Sequence, residues 1–109
     1  MSYEQNIALI NELNDCAVEC DHCAMACLEE YDVKMLTRCV KLNLDCADVC
    51  RTAALLLSRD SEHGNHLLRE CSELCDLCAE ECDKHSHMEH CKHCAETCRS
   101  CAEACHERA

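Results

Sequence analysis

The sequence contains no proline, tryptophan or phenylalanine, and it has a single glycine and two tyrosines among 109 residues. A chain so poor in glycine and proline lacks the residues that form the tight turns of β-rich and loop-rich domains. No apolar run approaches the roughly 18 residues that indicate a transmembrane helix, so no membrane contact is expected. Basic residues are also scarce, and the formal net charge is −12. Because phosphate binding needs clustered Lys and Arg, nucleic acid is excluded as a partner.

Cysteine is the residue in excess, since 16 of the 109 residues are Cys. A short chain this rich in Cys is usually the disulfide scaffold of a secreted domain. Residues 1–6, however, have neither the basic region nor the unbroken apolar stretch of a secretory signal peptide. We therefore expect a cytoplasmic protein whose thiols stay reduced.

The cysteines form four blocks, and within the blocks most steps are of three or four residues in alternation. Such steps average 3.5 residues, the a/d spacing of a heptad, and keep every member on one face of a helix. In a strand the same spacing would scatter the thiols over both faces. The blocks are Cys16, Cys20, Cys23 and Cys27; Cys39, Cys46 and Cys50; Cys71, Cys75, Cys78 and Cys82; and Cys91, Cys94, Cys98, Cys101 and Cys105.

Leucines continue the Cys positions beyond the blocks, so each block predicts the inner face of one amphipathic helix. Leu67 or Leu68 precedes Cys71 in phase, and the leucines expected to close one end of the core are Leu9, Leu13, Leu57 and Leu67. Short connections make successive helices antiparallel. The predicted fold is all-α, an antiparallel up-down-up-down four-helix bundle with a Cys-lined core, in one domain over residues 1–109.

Capping residues indicate the ends of these helices. The candidate N-caps are Ser2, Asp32, Asp60 or Ser61, and Ser86. Ser2 and Ser86 are each followed three residues later by Gln or Glu, as in the capping box. The helices are predicted at about residues 3–30, 33–58, 62–83 and 87–107.

Sixteen inward thiols would line the core over about 20 Å of the bundle axis. Packing alone explains them poorly, because Cys is too small to fill a core that normally takes Leu and Ile. Disulfides within one helix are disfavoured, since neighbouring Cβ atoms lie about 5–6 Å apart and a disulfide needs about 3.5–4.5 Å. The Cys-x-x-Cys pairs lie within inner helix faces, without the βαβ pattern of thioredoxin-like proteins. Metal binding is the interpretation that remains.

Soft thiolates select Cu(I), Zn(II) or iron–sulfur clusters. Four Zn(II) ions on sixteen thiolates would leave about eight buried negative charges uncompensated, at several kcal/mol each. Thiolates that bridge two Cu(I) ions approach one copper per Cys and leave the core neutral. The pattern therefore favours a Cu(I) store with many ions per chain and no enzymatic activity. A Zn(II) or soft-metal buffer or a metalloregulator stays open as an alternative, and a thiol oxidoreductase is less favoured.

The turn before the fourth helix carries four further side chains that bind metals: His85, His87, Met88 and His90. In the predicted bundle this turn lies directly above Cys82 and Cys91. A collar of imidazoles and a thioether there would capture incoming copper. A solvated polar turn at the start of a helix explains the same residues equally well.

Three stretches resemble a known family: Cys16-x-x-x-Cys20-x-x-Cys23-x-x-x-Cys27, its repeat at 71–82, and Lys84-His85-Ser86-His87 leading into Cys91-x-x-Cys94-x-x-x-Cys98. Over nearly its whole length the chain resembles the cytosolic branch of the bacterial copper storage proteins. The resemblance implies a homotetramer of four-helix bundles, with Cu(I) held by the sixteen cysteines and admitted past the His and Met residues named above. It also implies delivery by a copper chaperone or a small-thiol copper complex. The second helix has only three cysteines, with Asn43 or Leu42 where a further thiol would fall.

Overall fold

The structure, a computed structural model, describes residues 3–109. Within these residues the chain forms α1 (Tyr3–Leu28), a 3-10 helix (Val33–Leu36), α2 (Thr37–Ser58), α3 (Gly64–Asp83) and α4 (Glu89–Arg108). The helices pack as an antiparallel bundle 46 Å long and 18 Å across, which confirms the predicted fold class. We call the end with the turns at 29–36 and 84–88 the top, and the end with the turn at 59–63 the bottom. None of the helices in residues 3–109 is long and apolar enough to cross a membrane.

The helix ends differ from the predicted ones around the turns. α1 ends at Leu28 instead of residue 30, and the chain reaches α2 through the 3-10 helix Val33–Leu36 instead of one continuous helix. α3 begins at Gly64 instead of residue 62, and α4 begins at Glu89 instead of residue 87. The interiors of the helices, which carry all the cysteines, lie where the spacing predicts.

The expected caps of the second and third helices are wrong, and Ser2 lies outside the described residues. Asp32 precedes the 3-10 helix without a side-chain cap hydrogen bond. Asp60 has a φ of 53°, in the left-handed region of a turn. The Ser61 hydroxyl accepts a hydrogen bond from the backbone N–H of His63 over 3.2 Å, and α3 starts only after that residue. Turn geometry, not side-chain capping, therefore sets this helix start.

Ser86 does not cap α4, because residues 85–88 form a turn of their own. The backbone N–H of Met88 donates to the carbonyl of His85 over 3.0 Å, and His85 Nε2 lies 3.2 Å from Oε2 of Glu81. These contacts hold the chain in a turn past Ser86, so Met88 becomes the N-cap residue of α4. The capping box predicted at Ser86 is wrong.

Alanines arrange the four helices as two close pairs. All but one directly follow a cysteine, Ala54 follows Ala53 in the same phase, and all are buried: Ala17, Ala24, Ala47, Ala54, Ala79, Ala95 and Ala102. Since small side chains let helices approach, α1 lies close to α2 and α3 lies close to α4, while α1 and α4 have the fewest close approaches. The bundle consists of a first hairpin (α1 and α2) and a second hairpin (α3 and α4), and we call the plane between them the seam.

Leucines close the bottom of the core. Leu13 and Leu68 are fully buried, and Leu9 and Leu57 are nearly so. The prediction that Leu67 closes this end is wrong, because Leu67 is only half-buried against the cluster. Of the two adjacent leucines, Leu68 is therefore the one that fills this core position. The core above it consists of thiols.

Candidate metal centre

All sixteen cysteine side chains lie inside the bundle, where the heptad spacing of the four helices directs them. Each is fully shielded from solvent, with a relative exposure of 0 %, and each is a free thiol. Together they form what we call the thiol column, which reaches from just above the bottom leucines to the top. A continuous array of soft donors therefore replaces the usual aliphatic core.

The thiol column fills the seam, because its shortest sulfur–sulfur contacts join one hairpin to the other. Cys50 of α2 lies 3.3 Å from Cys71 of α3, and Cys20 of α1 lies 3.5 Å from Cys98 of α4. Within one helix, sulfurs one turn apart are more widely spaced, as shown by the 3.9 Å between Cys94 and Cys98. Any ion held in the column would therefore bind both hairpins.

Overlapping sets of four thiols have sulfur atoms within 4.8 Å of one another. They include Cys16, Cys46, Cys50 and Cys75; Cys16, Cys20, Cys46 and Cys98; Cys20, Cys78, Cys94 and Cys98; and Cys50, Cys71, Cys75 and Cys101. With metal–sulfur bonds of about 2.3 Å, two sulfurs stand about 3.8 Å apart on a tetrahedral ion and about 4.6 Å apart on a linear one. Because neighbouring sets share members such as Cys16 and Cys98, ions in adjacent sets would share bridging thiolates. The geometry suits a polynuclear metal–thiolate filling.

Asn43 places an amide among the thiols at a position where the second helix lacks a cysteine. It is fully buried, and its Oδ1 accepts S–H hydrogen bonds from Cys78 over 2.9 Å and from Cys94 over 3.4 Å. Leu42, the other candidate for this position, is half-buried beside the core. The sequence showed a missing thiol here, but it did not show that the amide would bond to cysteines of α3 and α4.

His90 is the imidazole that reaches the thiol column. Its Nδ1 lies 3.6 Å from the sulfurs of Cys23 and Cys91 and 3.9 Å from that of Cys27, and these four residues form another set within 4.8 Å. Its Nε2 faces Oε2 of Glu30 at 3.0 Å, which favours the tautomer with the lone pair on Nδ1. Burial lowers the pKa of His90, but the contacts with Cys23 and Glu30 outweigh it and leave the pKa raised.

The other three predicted residues of the turn lie at the top of the bundle, and of these Met88 packs against the core cluster that contains the thiols. His85 bonds to Glu81, His87 is exposed, and Met88 is half-buried. All three line a cleft of about 170 Å³ at the top, together with Glu30, Tyr31, Asp32, Met35 and Leu36. We call this end of the thiol column, with the cleft above it, the mouth.

Two carboxylates that were not predicted from the sequence hold the two partly buried imidazoles at the mouth. Glu81 precedes His85 by one helical turn, an i,i+4 spacing that could have shown the contact. Glu30 and His90 are far apart in the chain and meet only because α1 and α4 are neighbours in the bundle. Sequence spacing carries no signal for that pair.

Contacts between neighbouring thiols, together with burial, raise the pKa of much of the thiol column. Burial raises the pKa of Cys27, and the neighbouring Cys23 sulfur raises it further. The pKa of Cys105 is also raised, first by its contact with Cys101 and then by burial. Several other thiols have lowered pKa values. The pKa of Cys71 is about 6, because its neighbours, Cys101 foremost, stabilise its thiolate. A metal ion entering the column must therefore displace protons from most of its ligands.

Comparison with known proteins gives consistent matches. A family model described as copper storage protein matches residues 2–109. A cytosolic copper storage protein from Streptomyces lividans, solved with five coppers, is 43% identical over 96% of this chain and 92% of that chain, with a TM-score of 0.91. Copper storage protein 3 of Bacillus subtilis, in its Cu(I)-bound form, is 36% identical over 94% of this chain and 95% of that chain, with a TM-score of 0.88.

A further relative is the uncharacterized cysteine-rich protein YhjQ of Bacillus subtilis (strain 168), which is 38% identical over 88 residues, or 81% of each chain. The match to the family model covers nearly the whole sequence, including all four Cys blocks. The fold agrees with that of the solved Streptomyces lividans relative over 96% of this chain. The chain therefore belongs to the copper storage protein family.

Proposed function

We propose that this chain, folded as one domain over residues 1–109, stores Cu(I) in the cytoplasm on the thiolates of its sixteen cysteines, with about one copper per Cys. The observation that carries the proposal is the thiol column itself, in which overlapping sets of four fully buried free thiols share members. Storage in the relatives from Streptomyces lividans and Bacillus subtilis supports it.

Charge favours Cu(I) over Zn(II) as the stored ion. If each thiolate bridges two Cu(I) ions that each bind two sulfurs, there is one Cu(I) per sulfur and the cluster is neutral. The cysteines shared between overlapping sets are suited to act as such bridges. Zn(II) also fits four sulfurs spaced in this way. Isolated four-thiolate zinc sites, however, would leave buried negative charge that costs several kcal/mol per ion. A Zn(II) buffer is therefore the second candidate.

Copper reaches the thiol column through the mouth, and His90 with Cys23, Cys27 and Cys91 forms the first complete set of donors there. The Nδ1 atom of His90 already faces the three sulfurs. His85, His87 and Met88 line the cleft above and receive the incoming ion. The donor is a copper chaperone or a small-thiol copper complex, either of which exchanges Cu(I) between soft ligands.

The burial of the thiols favours a storage protein over an enzyme. A thiol oxidoreductase needs an accessible thiolate, whereas all sixteen thiols are shielded from solvent.

The protein acts as a homotetramer, and exposed apolar side chains on the first hairpin, among them Val18, Met25 and Leu55, offer surface for subunit contacts. The cytoplasmic location follows from the need for reduced thiols, and the relative from Streptomyces lividans is cytosolic.

An anaerobic Cu(I) titration against a competing chelator tests the proposal. We expect saturation near sixteen ions per chain and unchanged helicity by circular dichroism, because apo copper storage protein 3 of Bacillus subtilis has the same fold. Saturation at about four ions or fewer with a change of shape would indicate a zinc buffer or a metalloregulator. Turnover of a disulfide substrate would indicate an oxidoreductase.

A variant at the bottom of the thiol column sharpens the test. Replacing Cys101 and Cys105 with Ala removes two of the sixteen thiols, and we expect the capacity to fall by about two ions. The control replaces His63 and His66 with Ala, because both imidazoles are exposed on the outside. An equal loss of capacity in both variants would contradict storage in the thiol column.

A further inference from the structure

Ion pairs bridge the seam near the top on both sides of the thiol column, and Nε2 of His93 in α4 also lies 3.1 Å from Oε1 of Glu19 in α1, one turn below. Nε2 of His90 in α4 lies 3.0 Å from Oε2 of Glu30, which follows α1. Nη1 of Arg38 in α2 lies 2.8 Å from Oε1 of Glu81 in α3. The last two pairs lie beside the uppermost thiols, so each joins the first hairpin to the second where copper would enter.

The seam is unevenly packed from bottom to top. At the bottom, Leu9, Leu13, Leu57 and Leu68 bury large apolar side chains against one another. Higher up, the inner positions of α1, α3 and α4 are cysteines, which are small and bury less apolar area than leucine. Closure of the seam at the top therefore depends on polar contacts more than closure at the bottom does.

Glu81 is a buried carboxylate, with 5% relative exposure. Nζ of Lys84 and Nε2 of His85 lie 3.2 Å from its oxygens, but both belong to the second hairpin or its top turn, as Glu81 does. Arg38 is the cation that comes from the first hairpin. Because a buried charge is held strongly in place by its partners, the Arg38–Glu81 contact ties the two hairpins together on the α2–α3 side.

We propose that Arg38 and Glu81 are positioning residues that hold the top of the seam closed, and that copper enters and leaves when this pair separates and the hairpins part at the mouth. The inference rests on the proposed storage function. It assigns to the pair control over the rate of copper transfer, and it leaves the number of stored ions to the thiols. Neither side chain touches the metal.

Arg38→Met tests the pair, because it removes the ion pair across the seam while Glu81 keeps its contacts with Lys84 and His85. The Arg38 side chain is 58% exposed, so a methionine is accommodated. The matched control is Asp21→Asn, which breaks the ion pair with Arg51 between α1 and α2, inside the first hairpin. We expect Arg38→Met to take up Cu(I), and to lose it to a chelator, roughly five-fold faster than the wild-type chain. Asp21→Asn keeps wild-type rates.

Further variants separate a positioning role from general damage to the fold. Arg38→Lys retains the charge and restores rates close to wild type, and Glu81→Gln accelerates transfer as Arg38→Met does. The capacity stays the same in all of them. In the copper-free protein, hydrogen exchange quickens at residues 37–44 and 76–83 in Arg38→Met, but not in Asp21→Asn.

Transfer rates and exchange in Arg38→Met that match those of Asp21→Asn would overturn the inference. Slower uptake would also overturn it, because Arg38 would then assist the arrival of copper. If the wild-type chain itself fails to bind many Cu(I) ions, the storage proposal fails. The exchange experiment still decides whether the pair closes the seam.

Discussion

Asn43 shows how a polar side chain is accommodated among thiols. A buried amide without partners would cost about 1–3 kcal/mol, yet its Oδ1 accepts hydrogen bonds from Cys78 and Cys94, and its Nδ2 lies 3.8 Å from the sulfur of Cys39. The residue sits in phase with the cysteines of α2, so it occupies the place of a thiol without offering a thiolate charge. Capacity at this level of the column is therefore limited by Asn43.

Asn43→Cys restores the Cys spacing of α2, and we expect it to raise the Cu(I) capacity by about one ion. The control is Leu44→Cys, which adds a thiol at a position 39% exposed. A chelator should remove copper from such an isolated surface thiol. Both capacities are measured by anaerobic titration in the presence of the same chelator, and an unchanged capacity in Asn43→Cys would contradict a continuous column.

Glu81 makes the stability of the protein depend on pH. Burial raises the pKa of its carboxyl, but Arg38, His85 and Lys84 outweigh it and leave the pKa lowered. A carboxyl whose pKa is lower in the folded than in the unfolded chain stabilises the fold above the unfolded pKa of about 4.3. That contribution is lost as the pH falls through the folded pKa.

Glu81→Gln should lower the free energy of unfolding at neutral pH by about 1.5 kcal/mol, since hydrogen bonds to a charged group are lost. The difference in free energy of unfolding between the variant and the wild-type chain should narrow as the pH falls from about 5 toward 3. At low pH both chains lack the negative charge at this position. Urea unfolding of the copper-free protein under reducing conditions measures the difference. Glu73→Gln, an exposed change in the same helix, is the control. A gap that widens in acid would contradict this role of Glu81.

At the scale of helices, the placement of alanine decides which neighbours pack closely. In α1 and α2 the buried alanines recur seven residues apart, at 17 and 24 and at 47 and 54. In the second hairpin, the Ser72 hydroxyl donates to the backbone carbonyl of Ala102 over 3.0 Å, which shows how closely α3 approaches α4. Close packing within each hairpin leaves the seam as the wider gap, and that gap holds the thiol column.

Ala47→Leu should destabilise the copper-free protein by about 1–3 kcal/mol, because the larger side chain overpacks the contact between α1 and α2. Ala8→Leu is the control, since Ala8 is exposed on α1, and its effect should stay within about 0.5 kcal/mol. Urea unfolding followed by circular dichroism compares the two. Equal midpoints would show that the first hairpin is not closely packed at this alanine.

The whole molecule joins a thiol core to a strongly acidic surface. Its formal net charge of −12 favours solubility but adds self-repulsion to the folded chain. Cysteines contribute less burial energy than leucines would in the same places. Metal ions that bind both hairpins through the seam would offset both effects, because they bind the folded chain in preference to the unfolded one.

Loading with Cu(I) should therefore move the urea midpoint upward with unchanged helicity. A single site filled at about 1,000 times its Kd contributes about 4 kcal/mol, and many filled sites contribute more. A midpoint unmoved by copper would contradict binding across the seam.

Protons provide a second measure of the same loading. Thiols with raised pKa values, such as Cys27 and Cys105, enter the reaction protonated. Loading should therefore release protons and weaken in acid, with fewer than one proton per copper because thiols such as Cys71, whose pKa is about 6, are already largely thiolates. A pH indicator in weak buffer follows the release. The variant with Ala at positions 101 and 105 is the control and should release about two protons fewer.

Local periodicity accounts for what could be foreseen in the fold and the site. Steps of three and four residues place side chains on one helix face whatever the surroundings, so the sequence predicted four helices with inward cysteines. Short connections then left an antiparallel bundle as the outcome. The Cys content and the charge balance pointed to Cu(I), because ligand softness and neutrality do not depend on exact positions.

The tertiary structure decided what depends on residues that are distant in sequence. It alone brought Arg38 to Glu81, His90 to Cys23, and the amide of Asn43 to the thiols of α3 and α4. The predicted N-caps were wrong for a similar reason. Contacts within the folded turns, and not nearby side-chain hydroxyls, determine where these helices start. Helix periodicity is a property of the chain itself, whereas the seam and its closures arise only when two hairpins pack against each other.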